Sequence, residues 1–391
     1  MRKWLPLVLG GCLAGVLASA GQARAVLPFH FGFFPSGPLD AITDVAGVRV
    51  ANLTLIQGSD IRTGATAVLP NADPWVHKVA GASLAFNGNG EMTGTHWIDE
   101  SGYLEEPIVL TDTLDVGRAD DGVIDWMIAH HPEVGVTDDV PLPVVAECDD
   151  QLLNDIQKRA VTASDVHRLL DAAQPGQFAR GSVGAGTGMK AFAFKAGIGS
   201  ASRVLPASAG GYTVGVLVND NTGSSRQALT IVGVPVGEKL QDEYRPKYPQ
   251  HLSEADLHGR MASGSIIIVV ATNAPLDSRQ LHALLLRAAL GMGRTGLTSD
   301  IGSGDLFVAF STSVVFERTA AFDVAAPKQQ FTENDRVLNS LYSATAEATQ
   351  AAIYDALFEA TTMTGRGGAT MYGLPVQRVL EMLRGAGAIA Q

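Results

Sequence analysis

The sequence predicts an α+β fold, in which strands and helices are interspersed without a regular βαβ alternation. Its strongest β signal is the apolar, β-branched run at 266–270, which indicates a strand buried on both faces. An amphipathic helix follows from Asp277 or Ser278 and ends near Gly291 and Gly293. Because no strand–helix–strand unit repeats, layers of sheet and helix are favoured over a doubly wound sheet.

In the first half of the chain, short strands alternate with turns and two helices. The predicted strands comprise residues 62–70, 83–86, 107–113 and 144–147. A helix is predicted at 122–130, and a second helix begins at its capping residue, Ser164.

The second half continues with further strands and ends in helices. The predicted elements are paired strands at 192–195 and 212–218, a turn at 219–223, a strand at 306–310, a long helix capped by Asn334 and a short helix near Pro375. Residues 239–257 are charged, contain prolines and show no sustained period. We expect a solvent-exposed loop there, just before Gly264.

The first 25 residues are typical of a secretory signal peptide. Arg2 and Lys3 precede an apolar stretch, and Ala23-Arg24-Ala25 offers the small residues that signal peptidase requires. The sequence therefore predicts a periplasmic or secreted protein whose mature chain starts at Val26. A lipoprotein signal ending at Cys12 is the alternative, and it also directs the chain out of the cytoplasm.

Composition excludes several classes of partner. The formal net charge is −12, which argues against nucleic acid. After the leader, no window approaches the about 18 consecutive apolar residues that a membrane-spanning helix needs. The mature chain keeps one cysteine, Cys148, so no intrachain disulfide is expected.

Neither a cofactor nor a metal is predicted. The glycine-rich segment 181–189 suggests nucleotide binding, but no buried strand precedes it and no Lys-Ser pair of a phosphate-binding loop follows. The nine histidines, including the adjacent His130 and His131, lack metal-ligand spacing and a triad context. Ordinary core or surface positions are therefore favoured for them.

The pair Gly264-Ser265, at the head of the strand 266–270, has two interpretations. A glycine before a serine is most often part of a turn. Glycine lacks a Cβ, however, so the following peptide bond can adopt a strained geometry. A serine at the buried head of a core strand would then suit an amidase whose nucleophile becomes a new N-terminus after self-cleavage.

Two other polar residues stand at the ends of predicted strands. Glu147 ends the strand 144–147, where a carboxylate is commonly a solvated cap but can also bind a substrate ammonium. Asn221 follows the strand 212–218, where asparagine commonly forms a turn but can also donate to a developing oxyanion. The residues alone leave both alternatives open.

Several short segments are informative when they are taken together, although none of them is specific alone. They are 37–50, Arg62-Thr63-Gly64, Asn87-Gly88-Asn89-Gly90-Glu91-Met92-Thr93-Gly94, Gly184-Ala185-Gly186-Thr187-Gly188-Met189, 197–203, Gly264-Ser265-Ile266-Ile267, Gly302-Ser303-Gly304-Asp305 and Thr362-Met363-Thr364-Gly365-Arg366. In this order, over nearly the whole mature chain, they resemble the β-aminopeptidases and L-aminopeptidase D-amidase/D-esterases, which are self-processing bacterial amidases.

The resemblance implies a four-layer αββα sandwich, with the layering of the N-terminal-nucleophile (Ntn) hydrolases but a different connectivity. It implies a precursor that is cut between Gly264 and Ser265. The products are an α chain (26–264) and a β chain (265–391) of one catalytic domain. Four such αβ pairs are expected to assemble into a tetramer of heterodimers.

The resemblance also assigns roles to five residues. Ser265 is the nucleophile, and Ser303 and Asp305 stand where the family has a serine and an acidic residue two apart. Asn221 matches an oxyanion-stabilising asparagine, and Glu147 matches a carboxylate that receives the substrate's amino group. Many relatives have Glu in place of Asp305, and some have a tyrosine after the carboxylate, where this chain has Cys-Asp-Asp. Both differences concern substrate preference more than reaction type.

The function implied is that of a serine aminopeptidase or amidase. It would remove N-terminal β-amino acids, D-alanine or small L-amino acids from peptides, amides or esters. The freed α-amine of Ser265, with a reference pKa near about 8, would act as the local base, so no histidine is needed.

Two alternatives stay open. One is an acyltransferase similar to the ornithine acetyltransferases of arginine synthesis, although these use threonine and work inside the cell. The other is a non-catalytic periplasmic binding protein whose glycine-rich loops hold a ligand.

Overall fold

A computed structural model describes residues 27–223, 225–249, 264–319, 323–325 and 334–390 of the chain. The predicted leader, residues 1–25, and Val26 lie outside the described residues, as does most of the segment just before Gly264. No helix in the described ranges is long and apolar enough to cross a membrane.

The first sheet has four strands. They are β1 (Arg49–Gln57), β2 (Ile61–Leu69), β5 (Ile108–Thr111) and β6 (Val144–Glu147), and they lie in this spatial order. The pairs β1–β2 and β2–β5 are antiparallel, whereas β5 and β6 are parallel. The strand β6 has the same bounds as the predicted strand 144–147, and Glu147 is its last residue.

The second sheet is larger and has β11 in its interior. Its strands are β3 (His77–Gly88), β4 (Tyr103–Leu104), β9 (Ile198–Val204), β10 (Thr213–Asn221), β11 (Ser265–Thr272), β12 (Gly304–Thr319) and β13 (Asp323–Ala325). Their order is β4-β3-β12-β11-β10-β9, and β13 pairs with β12. The strands β11 and β12 are parallel, while β10 and β11 are antiparallel. Two small hairpins, β7–β8 (Lys190–Ala191 and Phe194–Lys195) and β14–β15 (Met363–Thr364 and Thr370–Met371), lie apart.

The sequence predicts where some of the helices begin. Their bounds are α1 (Thr95–Ser101), α2 (Val116–His130), α3 (Ala163–Asp171), α4 (Val236–Lys239), α5 (Ser278–Gly293), α6 (Asp335–Phe358) and α7 (Val376–Gly385). The side chain of Asp277 accepts a hydrogen bond from the Gln280 N–H at the start of α5, and Asn334 caps α6 in the same way. Both predicted starts are confirmed.

Alternate residues of β11 face different layers. Ile266, Ile268 and Val270 pack in one core with the apolar side chains of α5 and α6. Ile267 and Val269 pack in a second core, which lies between the two sheets. Because successive side chains of a strand point to opposite faces, the unbroken apolar run is what a strand buried on both faces requires.

The other face of the first sheet is covered by α2 and α3. Val109 and Val145 of this sheet share a third core with Val123 of α2 and Val166 of α3. The order of layers is therefore helices, sheet, sheet, helices. This confirms the predicted α+β class and the αββα sandwich.

The predicted pairing of 192–195 with 212–218 is wrong. Phe194 and Lys195 belong to the small hairpin β7–β8, whereas β10 pairs with β9. The β9 segment has weak β propensity because it is rich in glycine, serine and alanine. Its small residues are needed for close packing, since a Cβ on Gly199 would lie 2.0 Å from the Ala352 carbonyl oxygen of α6.

Two end positions also differ from the predictions. Asn221 is the last residue of β10 and not part of a turn, since the ladder with β11 continues to this residue. The helix α3 is capped by Thr162 and not by Ser164, because Thr162 Oγ1 and the Asp165 carboxylate form a reciprocal capping box.

The segment predicted as an exposed loop at 239–257 is described only to residue 249. Residues 241–249 contain no helix and are mostly exposed or half-buried. They contact the rest of the fold through the bridge between Lys247 and Thr370, hydrogen bonds from Arg226 to the Glu243 and Tyr244 carbonyl oxygens, and an ion pair between Arg378 and Glu243. Residues 250–257 lie outside the described residues.

Candidate active site

The head of β11 lies between two neighbouring strands that carry polar residues at the same level. Ser265 is paired with Asn221 of β10 on one side and with Gly304 of β12 on the other. Ser265 is buried, with 5% of its surface exposed. The ladder therefore brings together residues that are 44 and 39 positions apart in the chain.

The side-chain amide of Asn221 has a defined orientation. Its Nδ2 donates to the Asp149 carbonyl oxygen at 2.9 Å and to Ser265 Oγ at 3.4 Å, while its Oδ1 accepts from the Lys190 N–H at 3.1 Å. A carbonyl acceptor on one side and an N–H donor on the other determine which amide atom faces Ser265. A hydrogen-bond donor is thus held beside the Ser265 hydroxyl.

A backbone donor lies at the peptide bond before Ser265. The Gly304 N–H donates to the Gly264 carbonyl oxygen at 3.3 Å. The sequence did not predict Gly304 as a hydrogen-bond donor here, because any residue type other than proline offers a backbone N–H. Its glycine is required by packing, since a Cβ there would lie 2.5 Å from the Asn89 carbonyl oxygen.

Ser303 and Asp305 form a hydrogen-bonded pair beside Gly264. Ser303 Oγ donates to Asp305 Oδ1 at 2.6 Å, and Ser299 Oγ donates to the other oxygen, Oδ2. Burial raises the pKa of Asp305, and these two hydrogen bonds oppose the shift.

The two sides of the sheet carry different parts of the site. Asp305 has the same strand parity as Phe307, which faces α5 and α6, whereas Ser265 has the parity of Ile267, which faces the first sheet. The carboxylate therefore lies on the opposite side of the sheet from the Ser265 hydroxyl.

A cavity of about 180 Å³ opens beside Gly264 on the side of Asp305. Its apolar wall includes Phe192, Met292 and Leu297, and its polar wall includes Ser299 and Ser303. The cavity gives the Gly264–Ser265 peptide bond a partly polar surrounding.

Glu147 lies at the edge of the same region, on the first sheet. Its Oε1 accepts from the Glu91 N–H at 3.2 Å, and its Oε2 accepts from Thr113 Oγ1. A Cβ on Gly90 would lie 3.0 Å from Glu147 Oε1 and 3.3 Å from the Gly304 Cα. The glycine-rich loop 87–94 therefore separates Glu147 from the head of β12 by only one residue, and burial raises the pKa of Glu147.

The same loop holds the segment before β12. Asn87 Nδ2 donates to the carbonyl oxygens of Asp300 and Ser303, at 2.6 and 2.8 Å, and Asn89 Nδ2 donates to that of Gly302 at 2.8 Å. A simple hairpin turn would not need these amides. The asparagines are therefore structural supports of the site.

Cys148 follows Glu147 and is a neighbour of Ser265. Its thiol is fully buried and lies 3.6 Å from the Asn219 carbonyl oxygen. Burial raises the pKa of Cys148 well above its usual value, and a hydrogen bond with Ser265 only partly opposes this effect. The thiol is therefore neutral at physiological pH, and it is free of any disulfide.

The glycine-rich segment 181–189 uses its backbone donors inside the fold. The N–H groups of Gly184 and Ala185 donate to Thr54 Oγ1 and Thr66 Oγ1, at 2.9 and 3.1 Å. A Cβ on Gly186 would lie 2.3 Å from the Ile198 nitrogen. These glycines allow close packing between the sheets.

Of the two adjacent histidines, His130 is exposed and His131 is buried. His130 Nε2 lies 3.5 Å from Asp171 Oδ1, and His131 Nε2 lies 3.3 Å from Asp73 Oδ1. Within the described ranges, no group of three or more His, Cys, Asp or Glu side chains could hold a metal ion.

The layered fold and the buried serine at the head of a central strand are those of an Ntn-type hydrolase. Comparison with family models gives the finer assignment: residues 40–371 match Peptidase family S58, and the chain belongs to this family. The resemblance inferred from the ordered sequence segments is thereby confirmed.

Individual relatives are aminopeptidases. The chain is 39% identical to the β-peptidyl aminopeptidase BapA of Sphingosinicella microcystinivorans, over 98% of this chain and 97% of that protein. Among solved structures, a β-aminopeptidase of a Burkholderia species has a TM-score of 0.82 at 38% identity, covering 92% of this chain and 98% of its own.

A second solved structure bears on the fold. The L-aminopeptidase D-Ala-esterase/amidase of Ochrobactrum anthropi has a TM-score of 0.82 at 37% identity, covering 93% of this chain and 98% of its own. It is described as a prototype for the serine aminopeptidases and as a new variant among the Ntn hydrolase fold. The chain is therefore a hydrolase of the aminopeptidase type with an Ntn-like sandwich.

Proposed function

We propose that this protein is a serine aminopeptidase that activates itself by cleaving the bond between Gly264 and Ser265. The observation that carries the proposal is the position of two donors around this bond. The amide of Asn221 points at Ser265 Oγ, and the Gly304 N–H binds the Gly264 carbonyl oxygen. Charge that develops on that oxygen during attack would already have a hydrogen-bond donor.

In the proposed self-cleavage, Ser265 Oγ attacks the Gly264 carbonyl carbon and loses its proton. The C–N bond breaks and the nitrogen takes up a proton, so an ester joins Gly264 to Ser265 Oγ. Water then hydrolyses the ester. The products are an α chain that ends at Gly264 and a β chain that begins with the free α-amine of Ser265.

In the proposed peptidase reaction, the same hydroxyl attacks the amide or ester carbonyl of a bound substrate. The neutral α-amine of Ser265 accepts the hydroxyl proton and returns it to the leaving group. Asn221 and the Gly304 N–H stabilise the oxyanion, and water then releases the acyl group. Ser303 and Asp305 orient the α-amine, since both line the cavity beside Gly264 and Asp305 lies on the opposite side of the sheet from the Ser265 hydroxyl.

Glu147 is proposed to bind the ammonium of the substrate's N-terminal residue. Its carboxylate is buried, held by Thr113 and the Glu91 N–H, and one glycine away from the head of β12. An ammonium placed there would satisfy a buried charge that is otherwise costly. The substrates proposed are peptides, amides and esters with an N-terminal β-amino acid, D-alanine or small L-amino acid.

The mature protein is proposed to be exported, cut into two chains and assembled from several copies. We propose export by the leader 1–25 and cleavage into the chains 26–264 and 265–391. Assembly into four αβ pairs is proposed on the resemblance to the family.

Intact mass of the purified protein tests the central step. The wild type is expected to give two chains that meet at the bond between Gly264 and Ser265, whereas Ser265→Ala stays a single chain without activity on β-alanyl or D-alanyl p-nitroanilide. A wild type that hydrolyses these substrates as one chain would refute self-activation. An uncleaved, inactive wild type with ligand-dependent melting would instead favour the binding-protein alternative.

A further inference from the structure

The carboxylate of Asp305 is held at both oxygens by serine hydroxyls. Ser303 donates to Oδ1 at 2.6 Å, and Ser299, four residues earlier in the chain, donates to Oδ2. Asp305 itself is buried, with 1% of its surface exposed. A carboxylate with one donor can rotate about its own bond, whereas a donor on each oxygen fixes its plane.

An unusual backbone conformation at Ser299 accompanies its hydrogen bond with Asp305. Ser299 has a left-handed conformation, with a φ of 59°, which is uncommon for a residue other than glycine. The loop that follows is held by Asn87 and Asn89 through the carbonyl groups of Asp300, Gly302 and Ser303. The hydroxyl of Ser299 is thus brought to Asp305 by a loop that is itself supported, and it lines the cavity beside Gly264.

We propose that Ser299 is a positioning residue of the active site, which orients the Asp305 carboxylate toward the head of β11. The inference rests on the proposed function, in which Asp305 acts at the α-amine of Ser265. The short side chain of aspartate reaches less far than glutamate, so its direction depends more on the groups that hold it. Ser303 and Ser299 together supply that direction.

Loss of the Ser299 hydroxyl should change the pKa of Asp305, and the pH dependence of kcat/KM would show this change. Burial and the charge of Asp300 raise the pKa of Asp305, whereas the hydrogen bonds from Ser299 and Ser303 lower it. Asp220, on the neighbouring strand β10, is a further buried acid that is influenced by the charge of Asp305. Removal of the Ser299 hydroxyl should therefore move the acidic limb of the kcat/KM profile to higher pH.

Two substitutions separate the hydroxyl from the backbone. Ser299→Ala removes the hydroxyl, and Ser299→Gly removes it while tolerating the left-handed conformation. Both are expected to lower kcat and the rate of self-cleavage by about tenfold or more, with little change in KM. Ser313→Ala, an exposed serine further along β12, is the matched control and should behave like the wild type.

Together with Ser299→Ala, the variants Asp305→Asn and Ser299→Ala/Asp305→Asn form a double-mutant cycle. If Ser299 acts through Asp305, the Ser299→Ala substitution causes no further loss in the Asp305→Asn background. Normal kcat and an unchanged pH profile in both Ser299 variants, beside an impaired Asp305→Asn, would overturn the inference alone. The same holds if Ser299→Gly is fully active while Ser299→Ala is not. Full activity of Asp305→Asn would instead refute the role of Asp305 in the proposed function.

Discussion

The side-chain amide of Asn221 lies directly across the β-ladder from Ser265 and donates to its hydroxyl oxygen at 3.4 Å. The amide is already fixed by the Asp149 carbonyl oxygen and the Lys190 N–H. A donor that is oriented before the reaction needs no reorganisation when charge develops, and such preorganisation is a major source of catalytic rate. The relationship depends on strand register, which links distant parts of the chain.

Replacing Asn221 should therefore impair turnover more than binding. Asn221→Ala is expected to lower kcat for β-alanyl p-nitroanilide by about a hundredfold or more, since one oxyanion donor contributes about 3 kcal/mol. Asn221→Asp keeps the shape but removes the N–H donor, and it should lose as much. Steady-state kinetics measure both, and a near-normal kcat in the two variants would show that this amide does not act on the oxyanion.

Glu147 should determine the affinity for substrates with a free amine. Glu147→Gln is expected to raise KM for β-alanyl p-nitroanilide about tenfold or more, because an ammonium–carboxylate pair in a buried site is lost. Self-cleavage, which involves no substrate ammonium, should proceed normally by intact mass.

The control for this substitution is Glu100→Gln, on the exposed side of α1, which should leave KM unchanged. A Glu147→Gln protein that fails to process would show that the carboxylate is structural. Because burial raises the pKa of Glu147, the wild-type KM should also rise as the pH falls through that pKa.

The elements that sequence analysis predicted best depend on local signals. The run 266–270 is β-branched and apolar, and the helices after Asp277 and Asn334 begin at side chains that cap them. The strand β9 was not predicted because its glycine, serine and alanine residues carry little β propensity, and their packing under α6 is a tertiary property.

The residues of the site show the same division between those that local signals predict and those that depend on tertiary structure. Strand ends and the resemblance together pointed to Ser265, Asn221 and Glu147, and the structure brings the first two into contact. The N–H of Gly304 and the hydroxyl of Ser299 were missed, because their contacts with Gly264 and Asp305 arise from strand register and from a left-handed loop residue. Neither feature leaves a pattern in residue type.

A buried ion pair between α6 and the segment before β9 should be important for stability. Arg180 Nη1 lies 3.1 Å from Asp355 Oδ2, both side chains are 1% exposed, and the same oxygen accepts from the Ser200 N–H. Asp355→Ala leaves a buried guanidinium without its carboxylate and should cost about 3–5 kcal/mol of unfolding free energy. Urea denaturation measures the loss; Asp121→Ala, at an exposed position of α2, is the control, and an equal effect of the two would contradict the argument.

Glu106 should make the stability of the fold decrease with rising pH. Its neighbour Glu105 forms ion pairs with Lys78 and Arg318, whereas the carboxyl of Glu106 is buried, and burial followed by the charge of Glu105 raises its pKa well above the usual value. The folded state therefore keeps this proton at a pH where the unfolded chain has lost it. This stabilisation is complete below the unfolded pKa of about 4.5 and is lost as the pH rises toward the folded pKa.

Glu106→Gln removes this titration without a large change in shape. Relative to the wild type, the free energy of unfolding of the variant should rise by up to about 1.4 kcal/mol for each pH unit above about 4.5, until the folded pKa is reached. Urea denaturation of the Ser265→Ala precursor between about pH 5 and pH 8 measures the difference without interference from self-cleavage. The exposed Glu100→Gln should follow the wild type at every pH. A constant difference between Glu106→Gln and the wild type would mean that Glu106 is ionised in the folded protein, and that its charge is balanced by Lys78 and Arg318.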